Sequence, residues 1–142
     1  HENDMSNDKT MVPDLQASLL CDDVRQERNG KFILIGIFDG LALPAFPATF
    51  PRLCIVNRWC CGEGEFEQRT RLVTADARVL VEGRPVKMVL PDENKVSTTI
   101  EFFVNFSIPA PGNYWVEVLL DRQLRLRYPL HVQLRRPPHE PT

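Results

Sequence analysis

Between Ile100 and Ile108 an apolar residue falls at every second position: Ile100, Phe102, Val104, Phe106 and Ile108. Only an extended strand places all five on one surface. The same alternation runs through Tyr114–Leu120, with Tyr114, Val116, Val118 and Leu120 in step, and through Leu124–Leu134, with Leu124, Leu126, Tyr128, Leu130 and Val132 in step. Asp121–Gln123 is all that separates these two runs, so they predict a hairpin. Upstream, a strand is expected over Leu15–Asp22, followed by a turn at Asn29-Gly30, a pair that tolerates positive φ. Lys31–Phe38 is apolar on both faces, which predicts a central strand covered on both sides, with Gly36 leaving room for a bulge. Leu41–Pro51 carries Pro44, Pro47 and Pro51 and reads as a connection, because proline has no amide to give a sheet.

Further strands are expected at Arg52–Cys60 and at Glu65–Thr74. In the latter Phe66 and Leu72 are the apolar anchors, and Glu65, Glu67, Arg69 and Arg71 share the opposite face. Short strands at Arg78–Val81 and Val86–Leu90 flank the turn Glu82-Gly83. Short strands this closely spaced, without any sustained helical period, predict an all-β fold: an antiparallel sandwich of seven or eight strands with immunoglobulin-like topology. In that architecture Pro111-Gly112-Asn113-Tyr114 can supply a tyrosine that ties a loop to the sheet; the plainer alternative is a tyrosine that fills core.

Composition bounds the reading rather than changing it. The chain has 142 residues, 43% of them apolar, and a net charge of −2, which suits one soluble domain with a real core. That domain is expected over residues 14–135, between flexible tails at 1–13 and 136–142, the latter broken by Pro137, Pro138 and Pro141. No apolar run approaches the roughly 20 residues that cross a bilayer, and His1–Thr10 lacks the layout of a secretory signal, so no membrane partner and a cytoplasmic location are expected. A periplasmic form already stripped of its leader is the alternative. Met5 reads as a natural start, with His1–Asp4 as an addition.

Three segments carry a resemblance. LQASLLCDDVRQERNGKFILIGIFDG from Leu15 to Gly40, FPATFPRLCIVNRW, and the terminal PGNYWVEVLLDRQLRLRYPLHV resemble a family of small bacterial proteins known only as a domain of unknown function, over roughly residues 14–134. The shared features are the Cys-Asp-Asp end of the first strand, the Asn-Gly-Lys turn, the Ile-Gly-Ile-Phe-Asp strand exit and the closing Gly-x-Tyr strand. The resemblance implies an immunoglobulin-like sandwich and carries no activity or catalytic residue with it.

Candidate chemistry is sparse. His131 is the sole histidine inside the expected domain, His1 and His139 lying in the tails, so a Cys-His nucleophile has little to build on. Cys60 and Cys61 are neighbours, and on an extended strand their thiols would point to opposite faces, poor geometry for one metal ion. Cys21 and Cys54 read as small buried apolar groups. Asp22, Asp23, Asp39, Asp92 and Glu93 fall at strand ends and could gather at one pole around calcium, although acids there also cap turns. No glycine-rich phosphate loop occurs, and no cofactor is expected. The last strand sets Arg125, Arg127, His131 and Arg135 outward around Pro129, which marks an edge; Arg125, Arg127 and His131 are the expected contact residues. The expectation is therefore a non-enzymatic module that binds an unknown protein or itself through an edge strand, and not nucleic acid. A ligand- or calcium-binding acidic pole is the alternative, and a cysteine-dependent enzyme the weaker one.

Overall fold

The computed structural model describes residues 11–137. The chain forms ten strands there: β1 (Asp14–Gln26), β2 (Phe32–Phe38), β3 (Gly40–Leu43), β4 (Ala48–Cys60), β5 (Gly64–Val73), β6 (Val79–Glu82), β7 (Val86–Leu90), β8 (Val96–Ile108), β9 (Gly112–Leu120) and β10 (Gln123–Leu134). One sheet runs β2-β1-β4-β8, and the other runs β3-β10-β9-β5-β6, with β7 also on β5. Every pairing is antiparallel except that of β3 with β10, His131↔Gly40 to Leu134↔Leu43. The β9–β10 hairpin is the one the alternation predicts, and its register holds from Gln123↔Leu120 to Val132↔Gly112 across a bulge between Leu124 and Leu126.

The single surface expected of Ile100–Ile108 does not form: Asn105 is at φ 51 and the alternation breaks there, so Phe102 and Val104 are 44% and 56% exposed and Ile100 packs against a cluster on the outer face, while Phe103, Phe106 and Ile108 are buried. The inward-facing residues of both sheets meet between them. Leu20, Leu53, Ile55 and Trp59 from one sheet pack against Phe66, Leu72, Val116, Val118 and Leu130 from the other. Each large side chain buried this completely contributes about 1.5–3 kcal/mol. A smaller cluster of Cys21, Cys54 and Val56 lies on the opposite face of the first sheet, with Val24, Leu34 and Ile100 packed around it. Cys21 and Cys54 are thus buried neighbours across β1 and β4. The Tyr114 hydroxyl donates to the Ala110 carbonyl at 2.6 Å, so this tyrosine ties the β8–β9 connection down as well as filling core.

Several expectations are corrected. The stretch Leu41–Pro51 is not all connection: β3 occupies its start and β4 begins at Ala48. Pro44 and Pro47 lie between the strands, and Pro51 sits where β4 has only β8 beside it, since pairing with β1 begins at Cys54. No ladder amide is needed on that open side. β2 is not a covered central strand but the outer strand of its sheet, and Ile33, Ile35 and Ile37 are 45%, 42% and 57% exposed. An apolar pattern on both faces fits either placement. Leu124, beyond the bulge, and Leu126, at its near side, are exposed instead of joining Leu130 and Val132 in the core. The segments number ten against seven or eight expected because β3 lies in a proline-rich stretch whose sequence predicts a loop and because β6 and β7 are two pieces of one edge. They lie end to end along β5, joined where the Gly83 amide donates to Thr70.

Met11 pairs with Glu63 through two backbone hydrogen bonds of 2.9 and 2.8 Å, and Pro13 is buried, so chain ahead of β1 is pinned to the start of β5. Readings placed on residues 1–10 and 138–142, with His1, Met5 and His139 among them, fall outside the described residues. Among the described residues no helix is long and apolar enough to cross a membrane.

Candidate functional site

The basic stripe on β10 divides in two. His131 sits where β3 covers the strand, and its amide donates to the Asp39 carbonyl, whereas Arg125 and Arg127 lie on the half that β3 does not reach. Pro129 falls within that uncovered half, so the edge inferred from it holds for Arg125 and Arg127 but not for His131. The charges are also engaged at home. The Arg127 guanidinium stacks 3.7 Å over the Trp115 ring and approaches Glu117 at 3.5 Å. Arg71 holds the other Glu117 oxygen at 2.7 Å, and Arg125 donates to Gln123 at 3.2 Å. His131 Nδ1 lies 2.8 Å from Asn113 Oδ1.

Cys60 and Cys61 do not point apart. Cys61 is in the left-handed region at φ 63, just past the end of β4, and its Sγ lies 3.4 Å from that of Cys60. Strand alternation stops there, which is why the expected divergence fails. The nearby Cys60 thiol, by hydrogen bond and charge, raises the Cys61 thiol above its ordinary range. The acidic residues are dispersed: Asp23 pairs with Arg25 at 3.1 Å and Arg52 at 2.7 Å, Asp22 packs against Gly36, and Asp92 accepts the Asn94 amide at 2.8 Å. Among the described residues no three His, Cys, Asp or Glu side chains are placed to share a metal ion, so the acidic pole is not assembled.

A polar cluster lies between the sheets where the sequence reading placed none. Trp59 Nε1 donates to Gln68 Oε1 at 2.7 Å, and the Thr99 hydroxyl donates to the same oxygen at 2.8 Å. Gln68 Nε2 and the Thr70 hydroxyl both donate to Glu101 Oε1, at 2.9 and 2.7 Å. Asn57 Nδ2 reaches Thr70 at 3.4 Å, and its buried Oδ1 has no partner. Burial pushes the Glu101 carboxyl up, against the two hydrogen bonds that favour its charged form. Glu101 also lines a cleft of about 360 Å³ between the β6–β7 edge and β8, walled by Val81, Val86, Phe102 and Phe103. The signal was present in β5: Phe66 and Leu72 share their parity with Gln68 and Thr70, so two anchors pointing inward take the polar pair with them.

The other unassigned feature is the free side of β2. Phe32–Phe38 is the outermost strand of its sheet, contains no charged residue, and presents Ile33, Ile35 and Ile37 to solvent. Long apolar edges are what folded proteins ordinarily cover, shorten or charge.

A family model described as "Family of unknown function (DUF6941)" matches residues 16–133, and the chain belongs to that family. A search of curated proteins finds no match.

Proposed function

We propose that this family member is a non-catalytic, immunoglobulin-like sandwich that works by docking a protein surface along the open β2 edge. The observation that carries the reading is the uncharged outer strand with Ile33, Ile35 and Ile37 exposed. An unpaired edge of this kind offers main-chain hydrogen bonds for affinity and a row of side chains for selectivity. The parallel seat of β3 on β10 and the tie from Tyr114 to Ala110 support the immunoglobulin-like assignment. A role without catalysis is supported by how the candidate nucleophile and base are occupied: Cys61 is held protonated beside Cys60, and His131 is engaged by Asn113. Four free thiols fit a reducing bacterial cytoplasm, with neither membrane nor nucleic acid as partner.

The test is a photo-crosslinking residue placed at position 35 in cells that make the protein, with position 122 as an exposed control. A discrete crosslinked species from position 35 and none from 122 is expected; no crosslink from position 35 overturns the reading.

A further inference from the structure

We infer that Cys60 and Cys61 form a two-thiolate site for trivalent arsenic, taken up as neutral arsenous acid or an organic derivative of it. The two sulfurs lie 3.4 Å apart. Cys60 ends β4 and is half-buried, whereas Cys61 is exposed, so the pair is open to a ligand from solvent. A regular strand would send successive side chains to opposite faces; the left-handed backbone at Cys61 brings both thiols to one side.

The chain is pinned on either side of the pair. Cys60 is in register with Asp14 of β1 and with Val96 of β8, so a strand flanks it on both edges. Gly62 is buried beneath the segment ahead of β1, where a Cβ would fall 2.6 Å from Pro13 Cα and 2.7 Å from the Met11 carbonyl oxygen. Met11 and Glu63 then exchange their two backbone hydrogen bonds. The dithiol is therefore placed before anything binds, which lowers the ordering cost of chelation.

The spacing selects the ligand. Two bonds of about 2.3 Å, the length of a zinc–sulfur bond, meet at about 95° when they span 3.4 Å. Trivalent arsenic bonds through p orbitals close to right angles, and it has one position left for a hydroxyl or a carbon group once two thiolates are bound. Tetrahedral zinc would hold the sulfurs about 3.8 Å apart and needs four ligands, and among the described residues no third His, Cys, Asp or Glu is placed to join the pair. A linear two-coordinate ion would hold them about 4.6 Å apart. A direct disulfide is strained, because Cα atoms across a trans peptide are about 3.8 Å apart and bridged cysteines ordinarily need at least about 4.4 Å. In the binding step two As–O bonds break and two As–S bonds form. Each thiol proton leaves with a hydroxide as water, and no atom changes oxidation state.

The experiment treats the purified, reduced chain with phenylarsine oxide. One equivalent should add one phenylarsenic group per chain by intact mass, protect both Cys60 and Cys61 from alkylation in peptide maps, and be stripped by a dithiol but not by a monothiol at equal thiol concentration. Cys60→Ser and Cys61→Ser should each weaken binding about a hundredfold, because the second bond then loses its intramolecular advantage. A second measurement reads the placement of the pair. The two cysteines stay adjacent in the unfolded chain, so the reagent raises the urea midpoint only if the folded backbone presents them better. A raised midpoint is expected. Binding at parental strength in either serine variant, two arsenicals per chain, or a midpoint that is unchanged or lowered overturns the inference.

Discussion

Glu101 offers a measurement in which two substitutions at one position separate hydrogen bonding from charge. Its Oε1 accepts from Gln68 Nε2 at 2.9 Å and from the Thr70 hydroxyl at 2.7 Å, and both donors are fully buried. Glu101→Ala strips the acceptor from both, and an unsatisfied buried donor costs about 1–3 kcal/mol, so a loss of about 2–5 kcal/mol is expected. Glu101→Gln keeps an oxygen for both donors and removes only the ionisation. Burial raises the Glu101 carboxyl in the folded state above its ordinary value of 4.5, so folding favours the neutral form. The stability contributed by this preference is complete below pH 4.5 and is lost as pH rises through the folded-state value. The Gln variant loses nothing over that interval. Its stability relative to the parent should therefore climb from pH 4.5 upward and level off once Glu101 is ionised in both states. Urea unfolding followed by tryptophan fluorescence, with Trp59 buried in the cluster, reads both effects at pH 4.5, 6 and 8. A Gln variant as damaged as the Ala variant, or a difference from the parent that shrinks with rising pH, would refute the reasoning.

Period-two alternation made the all-β class and the β9–β10 hairpin legible, because residues on one face of a strand recur at every second position. The same rule, applied to one strand at a time, could not say what lay beside it. β2 is apolar on both faces as a covered central strand would be, yet it is the outermost strand; its position depends on which strand β1 pairs with next, a long-range fact. Proline was over-read in the same way: Pro51 fits within β4 because one side of the strand is open at that point. The polar cluster was hidden by residue type. Gln68, Thr70 and Asn57 look like surface residues, and only parity with Phe66 and Leu72 places the first two inside. The acidic pole failed because carboxylates at strand ends are committed to other partners: Asp92 to the turn amide of Asn94 two residues on, and Asp23 to Arg25 and to Arg52, the last of which lies 29 residues away in sequence. Of the stripe on β10, Arg125 and Arg127 lie along the uncovered half while β3 closes over His131, and that parallel pairing has no local signature.

Tyr114→Phe keeps the ring in the core and loses the hydrogen bond to Ala110, so denaturant unfolding should show a loss of about 1 kcal/mol; an unchanged midpoint would mean the tie contributes nothing. Hydrogen bonds from Arg25 and the Val24 amide, with the Arg52 charge beside it, hold the Asp23 carboxyl below its ordinary 3.8, so its contribution is present above that value and is lost as pH falls through the folded-state value. Asp23→Asn should accordingly flatten the acid limb of the stability profile below about pH 4, and a limb as steep as the parent's contradicts the assignment. The thiols give the last test. Cys21 and Cys54 are fully buried, and burial pushes Cys54 up to about 12, so neither should react with iodoacetamide until the protein unfolds. Cys61 is exposed, but the adjoining Cys60 thiol holds it protonated. Because the thiolate is the reacting species, its labelling rate at pH 7 should fall below that of a free cysteine and rise about tenfold per pH unit up to pH 9. Peptide mapping after timed labelling assigns each site. Fast, pH-independent modification of Cys61 near neutrality would instead reveal an activated thiolate, and with it the nucleophile that the proposed non-catalytic role excludes.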